Sequence, residues 1–346
     1  MLEAWLQYLG ASLIVFAGGW TLVRFGDAIG EQTGLGRVWA GVILLATATS
    51  LPELVTGITA IRGLDSPDLA VGGAFGANSL NLLVIAVLGI KWRGILRDPT
   101  VETKQLGSAG VILLLMAGGM LILGRDELGV PSWIIRVLPV TMIVAYVVTA
   151  LWTIGQLGSV LNSLRRKSSS GASTDESSGF GFSFKKPSRS LMNNIGGYLG
   201  AVAIVTIGGI WLANAADGVS DAMGWSSSFV GAQFLPISTT LPEFSVAIAA
   251  LRIGAPELAL SNLLGSNMFN IGIVLSADSL AYTKGALFTD VSSIHLIATA
   301  AGLAMTLILI PGLVSGSRPF ARTVGVKTIT KIGVYASMSS LIFAFS

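Results

Sequence analysis

Apolar residues fill this chain in long runs, without the strict alternation of a half-buried strand or the three-to-four-residue stripe of a surface helix. A run of about 20 apolar residues is long enough for a helix to cross a bilayer. Ten such stretches are legible: 5–23, 37–61, 69–89, 108–124 and 132–156, then 191–213, 226–251, 257–277, 291–312 and 324–345. Between the two sets lies Arg165-Arg166-Lys167, followed by a Ser/Gly-rich tract to Ser190 with the makeup of a flexible loop. The pattern predicts an all-α integral membrane protein of ten transmembrane helices. Residues 1–346 form one membrane domain, divided into a first five-helix repeat (1–156), a loop (157–190) and a second repeat (191–346). The leading stretch contains Glu3, has no basic residue before it and precedes many further spans, so it reads as a first membrane helix and not a leader.

Composition sharpens this picture. Of 346 residues, 52% are hydrophobic and 11% charged, against about 25% charged in soluble domains. The mean hydropathy is +0.77. Glycine, at 43 residues, suits helices packed closely in lipid. The absence of cysteine excludes disulfides and thiolate metal sites, and a lone histidine, His295, excludes imidazole clusters. There is no nucleotide-binding loop and no serine or histidine catalytic set, so neither an enzyme nor a nucleotide-driven pump is indicated.

The pI near 9.3 does not call for nucleic acid, because the basic residues follow membrane topology. With the central loop cytoplasmic, 17 of the 21 Lys and Arg fall on the inner side and only Arg62, Arg125, Arg136 and Lys284 on the outer. This matches the positive-inside rule. The expected location is the cell (inner or plasma) membrane, with both termini outside. Five spans per half is an odd number, so the second half enters from the opposite side. Inverted repeats of this kind place substrate sites at the midplane, where broken helices meet.

Two segments repeat 190 residues apart (53 to 243): Thr49-Ser50-Leu51-Pro52-Glu53 and Thr239-Thr240-Leu241-Pro242-Glu243. Each is followed by an arginine at the same interval, Arg62 and Arg252, and then by Gly76, Asn78, Asn81 or Gly265, Asn267, Asn270. A carboxylate inside a membrane span costs roughly 3 kcal/mol or more and marks a functional site. Proline removes a helical hydrogen bond, so the second and seventh spans should unwind around 47–52 and 237–242. Freed carbonyls at that depth need partners, and hard cations such as Na⁺ and Ca²⁺ take carboxylate, carbonyl, amide and hydroxyl oxygens. The candidate metal ligands are Glu53, Glu243, Asn81, Asn270, Thr49, Ser50, Thr239, Thr240 and Ser266, on helices 2, 3, 7 and 8, all four expected to be broken at the site. Asn78 and Asn267 are expected to bridge helices. A structural pair of glutamates bonded to neighbouring amides is the bland alternative. His295 is expected as a hydrogen-bonded histidine near the outer end of the ninth span.

These residues resemble the α-repeats of the cation/Ca²⁺ antiporter superfamily, in its sodium/calcium exchanger branch of prokaryotic type. Ser50-Leu51-Pro52-Glu53 and Thr240-Leu241-Pro242-Glu243 are similar to its first element. Gly76-Ala77-Asn78-Ser79-Leu80-Asn81 and Gly265-Ser266-Asn267-Met268-Phe269-Asn270 are similar to its second. The resemblance implies an antiporter exchanging Ca²⁺ for Na⁺ by alternating access, with spans one and six sliding across a core of the others. It implies Glu53 and Glu243 as principal Ca²⁺ ligands, with the hydroxyls and amides lining Na⁺ positions. It implies no cofactor beyond the transported Ca²⁺ and Na⁺ (or H⁺), no nucleic acid partner and a lipid bilayer environment; a monomer is sufficient for transport, and the oligomeric state stays open.

Two positions depart from the pattern. Members of the family commonly carry Asp at the place of Asn270 and Ser at the place of Ala77. With two central carboxylates the charge balances one Ca²⁺ or two monovalent ions. A third Na⁺ would lack an offsetting charge in a low-dielectric cavity, so the coupling is expected to fall below three Na⁺ per Ca²⁺. The neutral amide also resembles proton-coupled calcium exchangers, which makes H⁺ coupling the alternative. A passive cation channel and a non-transporting scaffold are the competing classes.

Overall fold

Helices make up all the regular structure among the described residues of the computed structural model, which are 1–33, 46–91, 110–111, 117–118, 129–131, 133–149, 151, 189–252, 256–315 and 320–345. In chain order they are α1 (Leu2–Thr33), α2 (Ala46–Thr49), α3 (Leu51–Arg62), α4 (Pro67–Lys91) and α5 (Trp133–Thr149). The second half holds α6 (Arg189–Met223), α7 (Ser227–Thr239), α8 (Leu241–Arg252) and α9 (Pro256–Phe269). A π-helical turn, Asn270–Val274, joins α9 to α10 (Leu275–Ala281). The chain ends with α11 (Leu287–Asp290), α12 (His295–Ser315) and α13 (Phe320–Phe345).

Among the described residues, four helical stretches are long and apolar enough to cross a membrane: Leu2–Gly26, Pro67–Gly89, Ser190–Met223 and Leu258–Ala281. The pair α7 and α8, bent by 43°, makes a fifth when taken as one span. Burial divides them. The stretches in α4 and α9–α10 are 78% and 89% buried, whereas those in α1 and α6 are 39% and 28% buried. The first two therefore form the centre, and the long pair α1 and α6 lies at the periphery with apolar side chains such as Leu13, Trp20, Leu199 and Ile207 exposed. Exposed apolar surface on this scale suits lipid, not water.

Glycines set how closely these helices approach. A Cβ at Gly18 would lie 2.9 Å from a methyl of Val205, one at Gly10 3.2 Å from Trp211, and one at Gly26 3.5 Å from Tyr198. Partner numbers fall as α1 advances, so α1 and α6 run antiparallel. On the same two helices, Gly19 packs on Pro242 of α8 and Gly209 packs on Val55 of α3. In the centre, α4 and α7 are in backbone contact: a Cβ at Gly72 would lie 3.0 Å from the Ala232 nitrogen, and one at Gly231 2.6 Å from the Leu69 carbonyl. Small residues permit this approach where lipid offers no hydrophobic drive between helices. Polar contacts add a fixed point between α1 and α7. Tyr8 Oη donates to the Phe234 carbonyl, Ser238 Oγ donates to Tyr8 Oη at 2.7 Å, and Ser12 Oγ lies 2.7 Å from Ser238 Oγ.

Several element boundaries differ from expectation. The first and sixth helices extend well past 5–23 and 191–213, to Leu2–Thr33 and Arg189–Met223. The third is not broken: α4 is one continuous helix, because its only proline, Pro67, is its first residue, where no intrahelical donor is lost. The eighth keeps its helical path and adjusts through the π turn. Most of the fourth span (108–124) and of the loop 157–190 lies outside the described residues.

Replacing Gly72 by Ala is expected to force α4 and α7 apart at a cost of about 1–3 kcal/mol, read as a lower unfolding midpoint in detergent. Gly200→Ala on α6, where an added Cβ meets nothing within 4 Å, should leave the midpoint unchanged.

Candidate ion-binding site

The two repeated motifs fold alike. Ser50 ends α2 and opens α3, and Thr240 stands in the same place between α7 and α8. Their backbones nearly coincide, at φ −89°, ψ 7° and φ −85°, ψ 2°, in the sparsely populated bridge region common at functional sites. Helix resumes at once: Leu54 N donates to the Ser50 carbonyl at 3.3 Å and Phe244 N to the Thr240 carbonyl at 3.1 Å. The expected unwinding over 47–52 and 237–242 thus narrows to one residue in each half. The physical reason is that Pro52 and Pro242 sit at the second position of a new helix, where a missing N–H costs nothing. They still supply no N–H to the carbonyls of Ala48 and Ser238, four residues earlier. Each glutamate is then the third residue of its helix, with a carboxylate near the positive end of the helix dipole.

Both carboxylates are buried, Glu53 4% and Glu243 0% exposed, and close enough to interact electrostatically. Each meets hydroxyls from the opposite half. Ser50 Oγ donates to Glu243 Oε1 at 3.3 Å, Thr49 also lies beside Glu243, and Thr239 lies beside Glu53. Ser266 flanks Glu243 too, 3.4 Å from Thr49. Asn81 and Asn270, both fully buried, complete the set. The remaining candidate, Thr240, is engaged by its own helix and donates to the Pro236 carbonyl.

Five buried oxygens of this group have no hydrogen-bond partner among the described residues: both of Glu53, Oε2 of Glu243, and Oδ1 of Asn81 and Asn270. Leaving such groups unpaired is expensive. Carboxylate and amide oxygens without donors match the coordination chemistry of Na⁺ and Ca²⁺. Among the described residues no three of His, Cys, Asp or Glu come together as a metal cluster, so the donor set suits a hard cation and not zinc.

Amides brace this site from behind. Asn78 Nδ2 donates to the Asn267 carbonyl and Asn267 Nδ2 to the Asn78 carbonyl, both at 3.2 Å. Asn81 Nδ2 donates to Asn267 Oδ1 at 3.0 Å, which turns its own oxygen free. Asn270 has no such brace among the described residues, where neither amide atom finds a partner, and it opens the π turn, a feature frequent at functional sites. Three further polar residues were not among the sequence candidates. Asn262, fully buried, reaches the Glu243 carbonyl at 3.4 Å. Asp278, also fully buried, faces Gly57. Asp68 accepts from Ser292 N at 2.8 Å and pairs with His295 Nε2 at 2.7 Å, and His295 is fully buried and hydrogen-bonded. Asn262 and Asp278 match Gly73 and Gly89 in the first half, so the repeat could not reveal them, whereas Asp68 matches Glu257.

Comparison with known proteins places this chain in a class of helical membrane ion exchangers. Residues 3–155 and 193–343 match the sodium/calcium exchanger protein family, and the chain belongs to it. It is 27% identical over 284 residues to the inner membrane protein YrbG of Escherichia coli (strain K12), covering 81% of this chain and 80% of that protein. Its fold is similar to the H⁺/Ca²⁺ exchanger CAX, at TM-score 0.70 and 14% identity over 99% of this chain and 86% of that one. It is also similar to the sodium-calcium exchanger NCX_Mj, at TM-score 0.60 and 19% identity over 95% and 97% of the two chains. The protein is a multi-pass membrane protein of an ion-exchanger family, and not an enzyme.

Asn267→Ala removes two side-chain hydrogen bonds and is expected to lower stability in ion-free detergent by about 1–3 kcal/mol. Asn270→Ala has none to lose and should cost less than half as much in the same thermal unfolding assay.

Proposed function

We propose that the protein is a secondary active antiporter that exchanges Ca²⁺ for Na⁺ by alternating access, at a midplane site built on Glu53 and Glu243. The observation that carries this reading is the pair of buried carboxylates converging at two helix interruptions with three carboxylate oxygens unpartnered. Two negative charges in a dry site are balanced by one Ca²⁺ or by two Na⁺, so the two ions compete for the same oxygens. An empty, ionised pair would be too costly to carry between the two faces. The site therefore changes sides only when loaded, and that obligation produces exchange in place of leak. Thr49, Ser50, Thr239, Ser266, Asn81 and Asn270 act as flanking ligands, and Thr240 shapes the break.

The ten-span, inverted-repeat layout is part of the proposal. It is supported by the antiparallel run of α1 and α6 and by the exchange of partners between halves, Gly19 on α8 and Gly209 on α3. The distribution of basic residues supports a cytoplasmic central loop with both termini outside. Asn270 and the similarity to the H⁺/Ca²⁺ exchanger fold favour one second reading, in which H⁺ replaces Na⁺.

⁴⁵Ca uptake into proteoliposomes under separately imposed Na⁺ and pH gradients decides between them. The expected result is uptake driven by the Na⁺ gradient, with Glu53→Gln and Glu243→Gln each reducing it at least 100-fold. Uptake driven by the pH gradient alone would assign H⁺ as the counter-ion. Uptake that survives both substitutions would remove the site from transport.

A further inference from the structure

The repeat hides a third carboxylate. Asp278 stands eight residues beyond Asn270, on α10, and the matching position in the first half (278 − 189 = 89) is Gly89. It is 0% exposed. Neither carboxylate oxygen has a hydrogen-bond partner among the described residues. The ion pairs among those residues are Lys284–Asp65 and His295–Asp68, so no described cation neutralises it. A dry carboxylate without donors needs a proton or a cation.

Its position is what gives it a role. The two oxygens lie against Gly57 of α3, so closely that a Cβ there would sit 2.6 Å from each. Gly57 is four residues after Glu53, which puts both on one face of the helix, about 6 Å apart along the axis. The matching residue in the second half is Ala247, so a side chain is absent only where Asp278 approaches. Beyond it, α3 and α10 lead to the exposed ion pair of Asp65 and Lys284, which places Asp278 between the glutamates and that end of the protein.

We propose that Asp278 is the ligand of a further cation subsite, one helical turn along α3 from Glu53, that takes Na⁺. It restores by another route the third negative charge that Asn270 withholds. The count of two charges, and with it the expectation of fewer than three Na⁺ per Ca²⁺, considered only the repeated motif. The inference rests on the reading of Glu53 and Glu243 as the Ca²⁺ site.

The test is equilibrium binding of ²²Na⁺ and ⁴⁵Ca²⁺ to the purified full-length protein, with Asp278→Asn, Gly57→Ala and Glu53→Gln beside the unaltered chain. Asp278→Asn is expected to bind one Na⁺ fewer at saturation, with Ca²⁺ affinity changed less than twofold. Gly57→Ala keeps the carboxylate but crowds it, and should raise the Na⁺ concentration needed to displace Ca²⁺ about tenfold. It carries the test if Asp278→Asn does not survive purification. Glu53→Gln should lose Ca²⁺ binding; if it does not, the central reading fails first. Loss of Ca²⁺ binding in Glu53→Gln, with Na⁺ binding unchanged in both Asp278→Asn and Gly57→Ala, overturns the Na⁺ subsite alone. A change confined to the pH dependence of Ca²⁺ binding would likewise overturn it and leave Asp278 as a proton carrier.

Discussion

Holding two carboxylates away from water is the constraint on which this structure depends. A lone dry carboxylate is unstable against protonation or collapse, and two within electrostatic range are worse. The fold answers with geometry. Each glutamate sits in the first turn of a helix that restarts after a one-residue interruption. Its neighbours are hydroxyls from the other half, and the amides of Asn78, Asn81 and Asn267 lock into one another behind it. The bracing leaves oxygens facing inward and spends donors elsewhere, which is what a cage for a hard cation requires.

Glycine makes that arrangement possible in a chain with little polar material. The contact between α4 and α7 is backbone against backbone, and it brings the residues on either side of the Thr240 break within reach of those on α4. The central helices are nearly enclosed, while α1 and α6 keep most of their surface outside. The division follows from where small residues fall along each helix.

The site was legible in the sequence because it is repeated. Pro-Glu after hydroxyl residues, twice, at matching distance from paired asparagines, pointed to Glu53 and Glu243, and their burial follows from it. The extent of the breaks was not legible: proline rules say that a donor is lost, but not that a new helix begins one residue earlier and makes the loss harmless. For the same reason α4 stays whole, since its proline opens the helix. The difference between Asn81, held by Asn267, and Asn270, held by no described residue, was also invisible, because the two occupy equivalent places in the motif. Asp278 and Asn262 escaped because each occurs in one half only, and the Asp68–His295 pair because His295, unlike Asp68, which matches Glu257, has no counterpart. A symmetry argument detects what two halves share and overlooks what one half adds.

The contact of Tyr8 and Ser12 with Ser238 has a mechanical corollary. Ser238 directly precedes Thr239, the hydroxyl beside Glu53, and the Phe234 carbonyl that Tyr8 engages lies one turn earlier on the same helix. Travel of α1 along its own axis must therefore shear a small hydrogen-bonded clutch whose far plate is the wall of the cage. If the proposed site is occupied by an ion, its state and the register of α1 are linked through that clutch, and a ligand too small to touch α1 would still set where it rests.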